Sequence, residues 1–184
     1  MVCVGIDKNY KPTSQVLEVK IPSFKVSEFQ FMKKPSSSHK LATIYSEIFA
    51  IVDDENYYES LGNSRTSVKT YSEETKTWKN QYVDFEKQFD FSLCSFIRKL
   101  YMIGGRNKNF EKTLSSYCSY DINTNNCNKT AYLNVTRYFT DCTVFEGKVV
   151  VTGGLNYNQG ELKLVEAYDY HEDKFTYLPN MIEK

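Results

Sequence analysis

The sequence predicts an all-β chain that forms a partial β-propeller of about three and a half four-stranded antiparallel blades. One observation is a repeat of about 49 residues, since apolar runs end in Gly104-Gly105 and again in Gly153-Gly154. Another is a tyrosine followed seven positions later by a large or sulfur-containing side chain, as after Tyr120 and Tyr168. A third is composition: the 184 residues include 15 Tyr and 12 Phe but only 8 Gly, which is typical of many half-buried strands.

Each full repeat divides into four short strands separated by turn signals. In the repeat that contains Gly153-Gly154, the apolar run 148–152 suits a buried second strand, and Pro179 ends the fourth. The polar segment 155–161 is expected to be a loop. The strands predicted for the three full repeats are 41–45, 48–52, 67–71 and 78–83; then 89–96, 99–103, 114–120 and 127–133; then 137–147 with its closing turn, 148–152, 162–168 and a strand from 175.

The repeats predict a single array over residues 1–184. Residues 1–35 are expected to be an incomplete blade, and full blades are expected at 36–83, 84–132 and 133–181. So few blades would not close a ring, because propellers typically need about four to eight. Unpaired strand edges would then favour self-association through the open blade edges.

Charge and cysteine content exclude several partners and compartments. Lys and Arg together number 23, as do Asp and Glu, so no overall field would steer the chain to nucleic acid or to an anionic membrane. The chain begins without a signal-peptide pattern and has no apolar run long enough to span a membrane. The 5 cysteines are odd in number and contain no Cys-x-x-Cys pair, which favours reduced thiols in a cytoplasmic protein over disulfides or a zinc site.

These repeats resemble Kelch repeats, the modules of Kelch-type β-propellers. The matching positions are Tyr71 and Trp78 in the first full repeat; Gly104, Gly105, Tyr120 and Asp121 in the second; and Arg137, Gly153, Gly154, Tyr168, Asp169 and Phe175 in the third. The resemblance implies that these positions are architectural and pack each blade against its neighbour. The sequence departs from the pattern at Asp53-Asp54 in place of the glycines, at Ser37 and Gln88 in place of the arginine, and at Cys127 in place of the aromatic residue.

The sequence gives no sign of a catalytic centre, a cofactor or a metal site. His39 and His171 are the only histidines, and neither has neighbouring cysteines or carboxylates at metal-ligand spacing. A nucleophile elbow and a phosphate-binding loop are both missing. Cys127, at a packing position, is expected to be a small buried hydrophobe. We therefore expect a chain that is not an enzyme.

The resemblance implies a protein-interaction module. Many similar proteins are substrate adaptors of cullin-RING ubiquitin ligases, so the chain is expected to hold the substrate-recognition part of such an adaptor. The alternative implied by the same resemblance is an actin-binding or other cytoskeletal scaffold. Loops that follow the second strands and loops between blades, at 35–38 and 82–89, are the expected protein contacts, because loops on a rigid scaffold commonly carry recognition. Their candidate residues are Asn56, Tyr57, Tyr58 and Arg65; Arg106, Lys108, Phe110 and Lys112; and Asn156, Tyr157 and Asn158.

Overall fold

A computed structural model of the chain describes residues 2–3, 8–11, 13–20, 22–32, 39–45, 47–53, 66–83, 88–107, 109–128 and 131–183. These residues belong to two compact units, Met1–Phe85 and Glu86–Lys184. Regular structure in the described ranges is entirely β, and none of it is a helix that could cross a membrane. The all-β class and its four-stranded antiparallel blades are confirmed.

The first unit contains a three-stranded sheet and a four-stranded sheet. The former has the order β1-β2-β3 and lies in the range where the sequence predicts an incomplete blade, a division that stays a prediction. The latter has the order β4-β5-β6-β7. The strands are β1 (Val2–Cys3), β2 (Val16–Lys20), β3 (Lys25–Glu28), β4 (His39–Ile44), β5 (Glu47–Asp53), β6 (Thr66–Ser72) and β7 (Thr77–Val83).

The second unit contains two four-stranded sheets and a small hairpin. The sheets have the orders β8-β9-β10-β11 and β12-β13-β16-β17, and the hairpin pairs β14 with β15. The strands are β8 (Ser92–Phe96), β9 (Lys99–Ile103), β10 (Tyr117–Asp121), β11 (Asn126–Asn128), β12 (Asp141–Phe145), β13 (Lys148–Thr152), β14 (Leu155–Asn156), β15 (Gly160–Glu161), β16 (Val165–Asp169) and β17 (Lys174–Leu178). The expectation of a loop over 155–161 is wrong, because β14 and β15 pair there. Whether all the sheets belong to one array stays a prediction.

Strand register repeats from sheet to sheet. The second strand places Ile48 opposite Tyr71 in the first full blade, Leu100 opposite Tyr120 in the next, and Val149 opposite Tyr168 in the last. The same tyrosines lie opposite Trp78, Cys127 and Phe175 on the fourth strand. Tyr71, Trp78, Tyr120, Tyr168 and Phe175 are all buried. Trp78 also donates from Nε1 to the carbonyl oxygen of Gln30 at 3.0 Å, which ties the two sheets of the first unit together.

The Tyr-Asp signature organises the turn between the third and fourth strands. The hydroxyl of Tyr168 donates to Oδ1 of Asp173 at 2.7 Å, and Oδ1 of Asp169 accepts the backbone N–H of His171 at 2.9 Å. Tyr120 and Asp121 do the same in the preceding blade, where Asn125 accepts from the tyrosine. Each turn is thereby closed by side chains of its own repeat.

The Gly104-Gly105 pair leaves room for the backbone of the following repeat to approach closely. Both residues have positive φ, 69° and 103°, which side chains disfavour. A Cβ on Gly104 would lie 2.6 Å from the carbonyl oxygen of Arg137, and that oxygen accepts the N–H of Gly105 at 2.7 Å. Because residues 137–140 are held on this surface, the strand expected from Arg137 begins only at Asp141.

A disulfide joins Cys118 and Cys127 across β10 and β11. Their Cα atoms are 6.0 Å apart, a separation that suits such a bond. The expectation of reduced thiols is wrong for this pair, and Cys127 is a half-buried disulfide partner instead of a free hydrophobe. Cys94 and Cys142 take no part in a disulfide.

Candidate functional site

The predicted contact residues fall into two groups in the structure. Asn56, Tyr57, Tyr58, Arg65 and Lys108 lie outside the described residues. The others lie in the β9–β10 connection and in the β14–β15 hairpin, and three of them come together: Arg106, Phe110 and Tyr157.

Arg106 lies at the centre of this surface. Its Nε donates to Oδ2 of Asp90 at 2.7 Å, and the same carboxylate pairs with its Nη2. Its guanidinium carbon is 4.5 Å from the ring centroid of Phe110, 4.6 Å from that of Tyr138 and 5.5 Å from that of Phe139. A guanidinium within about 6 Å of several ring faces gains cation–π stabilisation, which fixes the rings around it.

Tyr157 links the hairpin to the β9–β10 connection. Its hydroxyl donates to the carbonyl oxygen of Phe110 at 2.5 Å, and its ring centroid is 5.3 Å from that of Tyr138. We use the name Arg106 cluster for six residues: Asp90, Arg106, Phe110, Tyr138, Phe139 and Tyr157.

The Arg106 cluster combines a retained charge with accessible aromatic surface. The pKa of Arg106 is raised, because partial burial, which disfavours the charged form, is outweighed by Tyr157 and Asp90. Phe139 keeps 60% of its surface exposed and Tyr157 keeps 46%. Exposed aromatic rings fixed beside an arginine are the residue types enriched where proteins bind one another.

Three residues of the cluster have left-handed backbone conformations. The φ angles are 56° at Asp90, 57° at Phe110 and 51° at Phe139. Bulky side chains rarely adopt this region, and such strain is concentrated at functional sites. The N–H of Phe139 donates to the carbonyl oxygen of Asp90 at 3.0 Å, which helps to hold two of these residues in place.

The remaining predicted residues have other settings. Asn156 is buried and donates from Nδ2 to the carbonyl oxygen of Thr136 at 2.8 Å, while its Oδ1 accepts the N–H of Asn158. Asn156 therefore organises the hairpin from within. Lys112, two residues after Phe110, and Asn158, directly after Tyr157, are both exposed.

Sequence reasoning missed Asp90, Tyr138 and Phe139. A signal for them exists: the triplets Gln88-Phe89-Asp90 and Arg137-Tyr138-Phe139 are 49 residues apart and begin at the same repeat position. In both, an aromatic residue follows the position that carries arginine in the Kelch pattern. Both triplets therefore reach the same end of their blades.

Comparison with known proteins supports the repeat. Residues 136–182 match the Kelch motif. The chain therefore contains a Kelch motif, in keeping with the resemblance of its repeats. It is 28% identical over 160 residues to N-(sulfonatooxy)prop-2-enimidothioate sulfolyase of Thlaspi arvense, a match that covers 79% of the chain and 44% of that relative.

The solved structure of YjhT is similar in fold to this chain. The TM-score is 0.68 at 16% identity, and the match covers 84% of this chain and 54% of YjhT. The chain thus spans about half the length of these proteins, or less. Within the described residues, no cluster of three or more His, Cys, Asp or Glu side chains could hold a metal ion. A Kelch motif is typical of protein-interaction modules, and the Arg106 cluster is the described surface that suits this role.

Proposed function

We propose that the chain is a Kelch-type interaction module, without catalytic activity of its own, whose protein partner binds the Arg106 cluster. The observation that carries the proposal is a pair of exposed rings: Phe139, which lies against the Arg106 guanidinium on a left-handed backbone, and Tyr157, which is held by its hydrogen bond to Phe110 and by the ring of Tyr138. Rigid aromatic side chains lose little conformational entropy on binding, which makes them efficient anchors.

The charge of the cluster favours an apolar anchor on the partner. Asp90 already neutralises Arg106, so an acidic partner group would compete with an existing ion pair. Exposed Lys112 at the border is available to steer an acidic flank of the same partner. We infer a partner segment with an apolar or aromatic centre and acidic residues beside it.

We further propose that the chain provides the substrate-recognition part of a cullin-RING ubiquitin ligase adaptor. Its support is the Kelch motif at 136–182. On this proposal, a partner captured through the Arg106 cluster is ubiquitinated in cells and accumulates when the chain is depleted. Co-sedimentation with actin filaments, lost in the same cluster variants, would favour the cytoskeletal scaffold instead.

Affinity capture with cluster variants tests the proposal. Phe139→Ser and Tyr157→Ser should each weaken binding of a captured partner by about thirtyfold, the result of losing roughly 2 kcal/mol at an interface hot spot. Phe145→Ser is the matched control, because Phe145 is also exposed but lies on β12, outside the cluster. Equal loss in the control, or unchanged capture by both cluster variants, would contradict the proposal. Turnover of the relative's sulfolyase substrate would contradict the non-catalytic role.

A further inference from the structure

Two cysteines outside the disulfide lie on neighbouring strands of the second unit. Cys94 is the third residue of β8 and Cys142 is the second residue of β12, and each of these strands is the edge strand of its own four-stranded sheet. The backbone joins the segments that lead into them, because the N–H of Phe139 donates to the carbonyl oxygen of Asp90 at 3.0 Å. Both strands begin two residues after this bond, so the two cysteines lie at nearly the same distance from it.

The side chains of the two cysteines are in contact. The thiol of Cys94 makes a hydrogen bond with the sulfur of Cys142. Cys94 belongs to the buried hydrophobic core of the second unit, and Cys142 packs against the same core as a partly buried side chain. Because a disulfide forms only where two cysteine side chains face each other at short range, this contact supplies the geometric requirement for one.

The repeat does not require sulfur at either position. Strand register identifies the equivalent residues in the other full blades, and none of them is a cysteine. The equivalents are Leu41 and Leu93 for Cys142, and Ala42 and Thr143 for Cys94. Other side chains therefore serve the packing at these positions, and among the three full blades the pair of thiols is particular to the joint between β8 and β12.

The two thiols differ in how easily a reagent reaches them. Cys142 is half-buried on an otherwise exposed strand, whereas Cys94 keeps only 9% of its surface exposed. The hydrogen bond with Cys142 and burial both raise the pKa of the Cys94 thiol, so Cys94 stays protonated at neutral pH. Since the thiolate is the reactive form of cysteine, a small reagent from solvent should react first at Cys142.

We propose that Cys142 is a site of thiol–disulfide exchange with low-molecular-weight disulfides such as glutathione disulfide, and that Cys94 completes the reaction by forming a Cys94–Cys142 disulfide between two blades. In the first step, Cys142 loses its proton and attacks one sulfur of the small disulfide, whose S–S bond breaks to release one small thiolate. In the second step, Cys94 loses its proton and attacks the Cys142 sulfur, which releases the other small thiolate. The two protons pass to the two released thiolates, so two protein thiols are oxidised and one small disulfide is reduced.

The first step makes the second one easier. Cys142 contributes to the raised pKa of Cys94 through its hydrogen bond and through the negative charge of its thiolate. A mixed disulfide at Cys142 carries no such charge, so the pKa of Cys94 falls toward its ordinary value. Attack by Cys94 is also intramolecular and starts from side chains in contact, which favours it over reaction with a second small molecule. This site goes beyond the proposed partner surface and does not depend on it.

Tryptic peptide mapping of the whole chain tests the proposal. Cleavage after lysine and arginine leaves Cys94 in peptide 88–98, Cys142 in peptide 138–148, and both partners of the existing disulfide in peptide 113–129. After treatment with glutathione disulfide and alkylation with N-ethylmaleimide, peptides 88–98 and 138–148 should be recovered joined to each other, and dithiothreitol should separate them. The new bond closes a loop of about 50 residues, so it should raise the melting temperature by about 5–10 °C.

Single variants test the order of the steps. Cys94→Ala, which introduces the residue type found at the equivalent Ala42, should stop at a glutathione mixed disulfide on peptide 138–148. Cys142→Ser should leave Cys94 unmodified, because the buried thiol is not the point of entry. Cys118→Ser/Cys127→Ser is the matched control and should still form the link between the two peptides.

Several results would overturn the proposal. One is a native chain in which both peptides carry N-ethylmaleimide and no link forms. Another is a glutathione adduct at Cys142 that persists in the native chain as it does in Cys94→Ala. Modification of Cys94 in Cys142→Ser to the same extent as Cys142 in Cys94→Ala, or a link that leaves the melting temperature unchanged, would also contradict it. Capture of the protein partner is not measured here, so failure of this test leaves the proposed function standing.

Discussion

Arg137 and Glu166 form an ion pair in which both side chains are fully buried. The guanidinium also donates to the carbonyl oxygens of Gly153 and Leu164, each at 3.1 Å. The second carboxylate oxygen accepts from the backbone N–H and the side chain of Asn134, at 2.8 and 2.6 Å. This network joins the segment before β12 to β13 and β16, and every charged group in it has partners.

Breaking this pair from one side should destabilise the second unit strongly. Arg137→Met leaves the Glu166 carboxylate buried without its cation, so we expect the free energy of unfolding to fall by about 3–5 kcal/mol. Urea unfolding followed by tyrosine fluorescence measures this loss. Glu73→Gln, which removes an exposed pair with Lys76, is the control and should change nothing measurable. A loss for Arg137→Met as small as that of the control would contradict the network's importance.

Gly104 and Gly147 offer a matched pair of glycines. Both have positive φ, 69° and 73°, but a Cβ on Gly104 meets the Arg137 carbonyl oxygen at 2.6 Å, while one on Gly147 meets nothing within 4 Å. Gly147→Ala should cost only the left-handed backbone strain, roughly 1–2 kcal/mol. Gly104→Ala should lower the free energy of unfolding by clearly more, because the backbone at Arg137 must also move. Thermal unfolding of the two variants measures this difference. Equal losses of stability would show that the contact at Gly104 is easily relieved.

The disulfide between Cys118 and Cys127 should stabilise the second four-stranded sheet, β8 to β11. Closing a loop with a sequence separation of 9 is expected to contribute about 2–3 kcal/mol. Dithiothreitol should therefore lower the melting temperature of the native chain but not that of the Cys118→Ser/Cys127→Ser variant. Cys142→Ser, which changes a cysteine outside the disulfide, should keep the response to the reductant. A native chain insensitive to dithiothreitol would argue against the bond.

Alkaline pH should weaken the fold through its buried tyrosines. Burial raises the pKa of Tyr168 to about 12 and also raises the pKa of Tyr101 and Tyr117, against about 10 in an unfolded chain. The folded state then holds more protons than the unfolded state above pH 10, so stability is full below about pH 10 and falls as pH rises toward 12. Urea midpoints between pH 8 and 11 measure the effect, and a Tyr101→Phe/Tyr117→Phe variant should lose less. A midpoint that is constant over this range would contradict it.

The central strands were the best predicted elements. The ranges 99–103 and 148–152 match β9 and β13 because each is a continuous apolar run bounded by a turn and by a glycine pair. The first strands of the second and third full repeats were predicted too early. In the third, Arg137 and Phe139 contact the preceding repeat through backbone atoms that leave no pattern in the sequence. The disulfide was missed for a similar reason, because pairing of cysteines depends on the register of β10 and β11.

The candidate site was predicted only in part. Loop position alone pointed to Arg106, Phe110 and Tyr157, yet their convergence depends on Asp90, Tyr138 and Phe139, which come from other segments.

The contact that fills Gly104 has a consequence for how such chains can evolve. What occupies the space is a main-chain carbonyl of residue 137, a group that every amino acid possesses. The following repeat therefore needs no particular side chain at this position to make the contact with Gly104. Gene duplication or recombination could add or remove a whole repeat and keep this backbone contact. The exposed loops could then change in sequence and bind new partners.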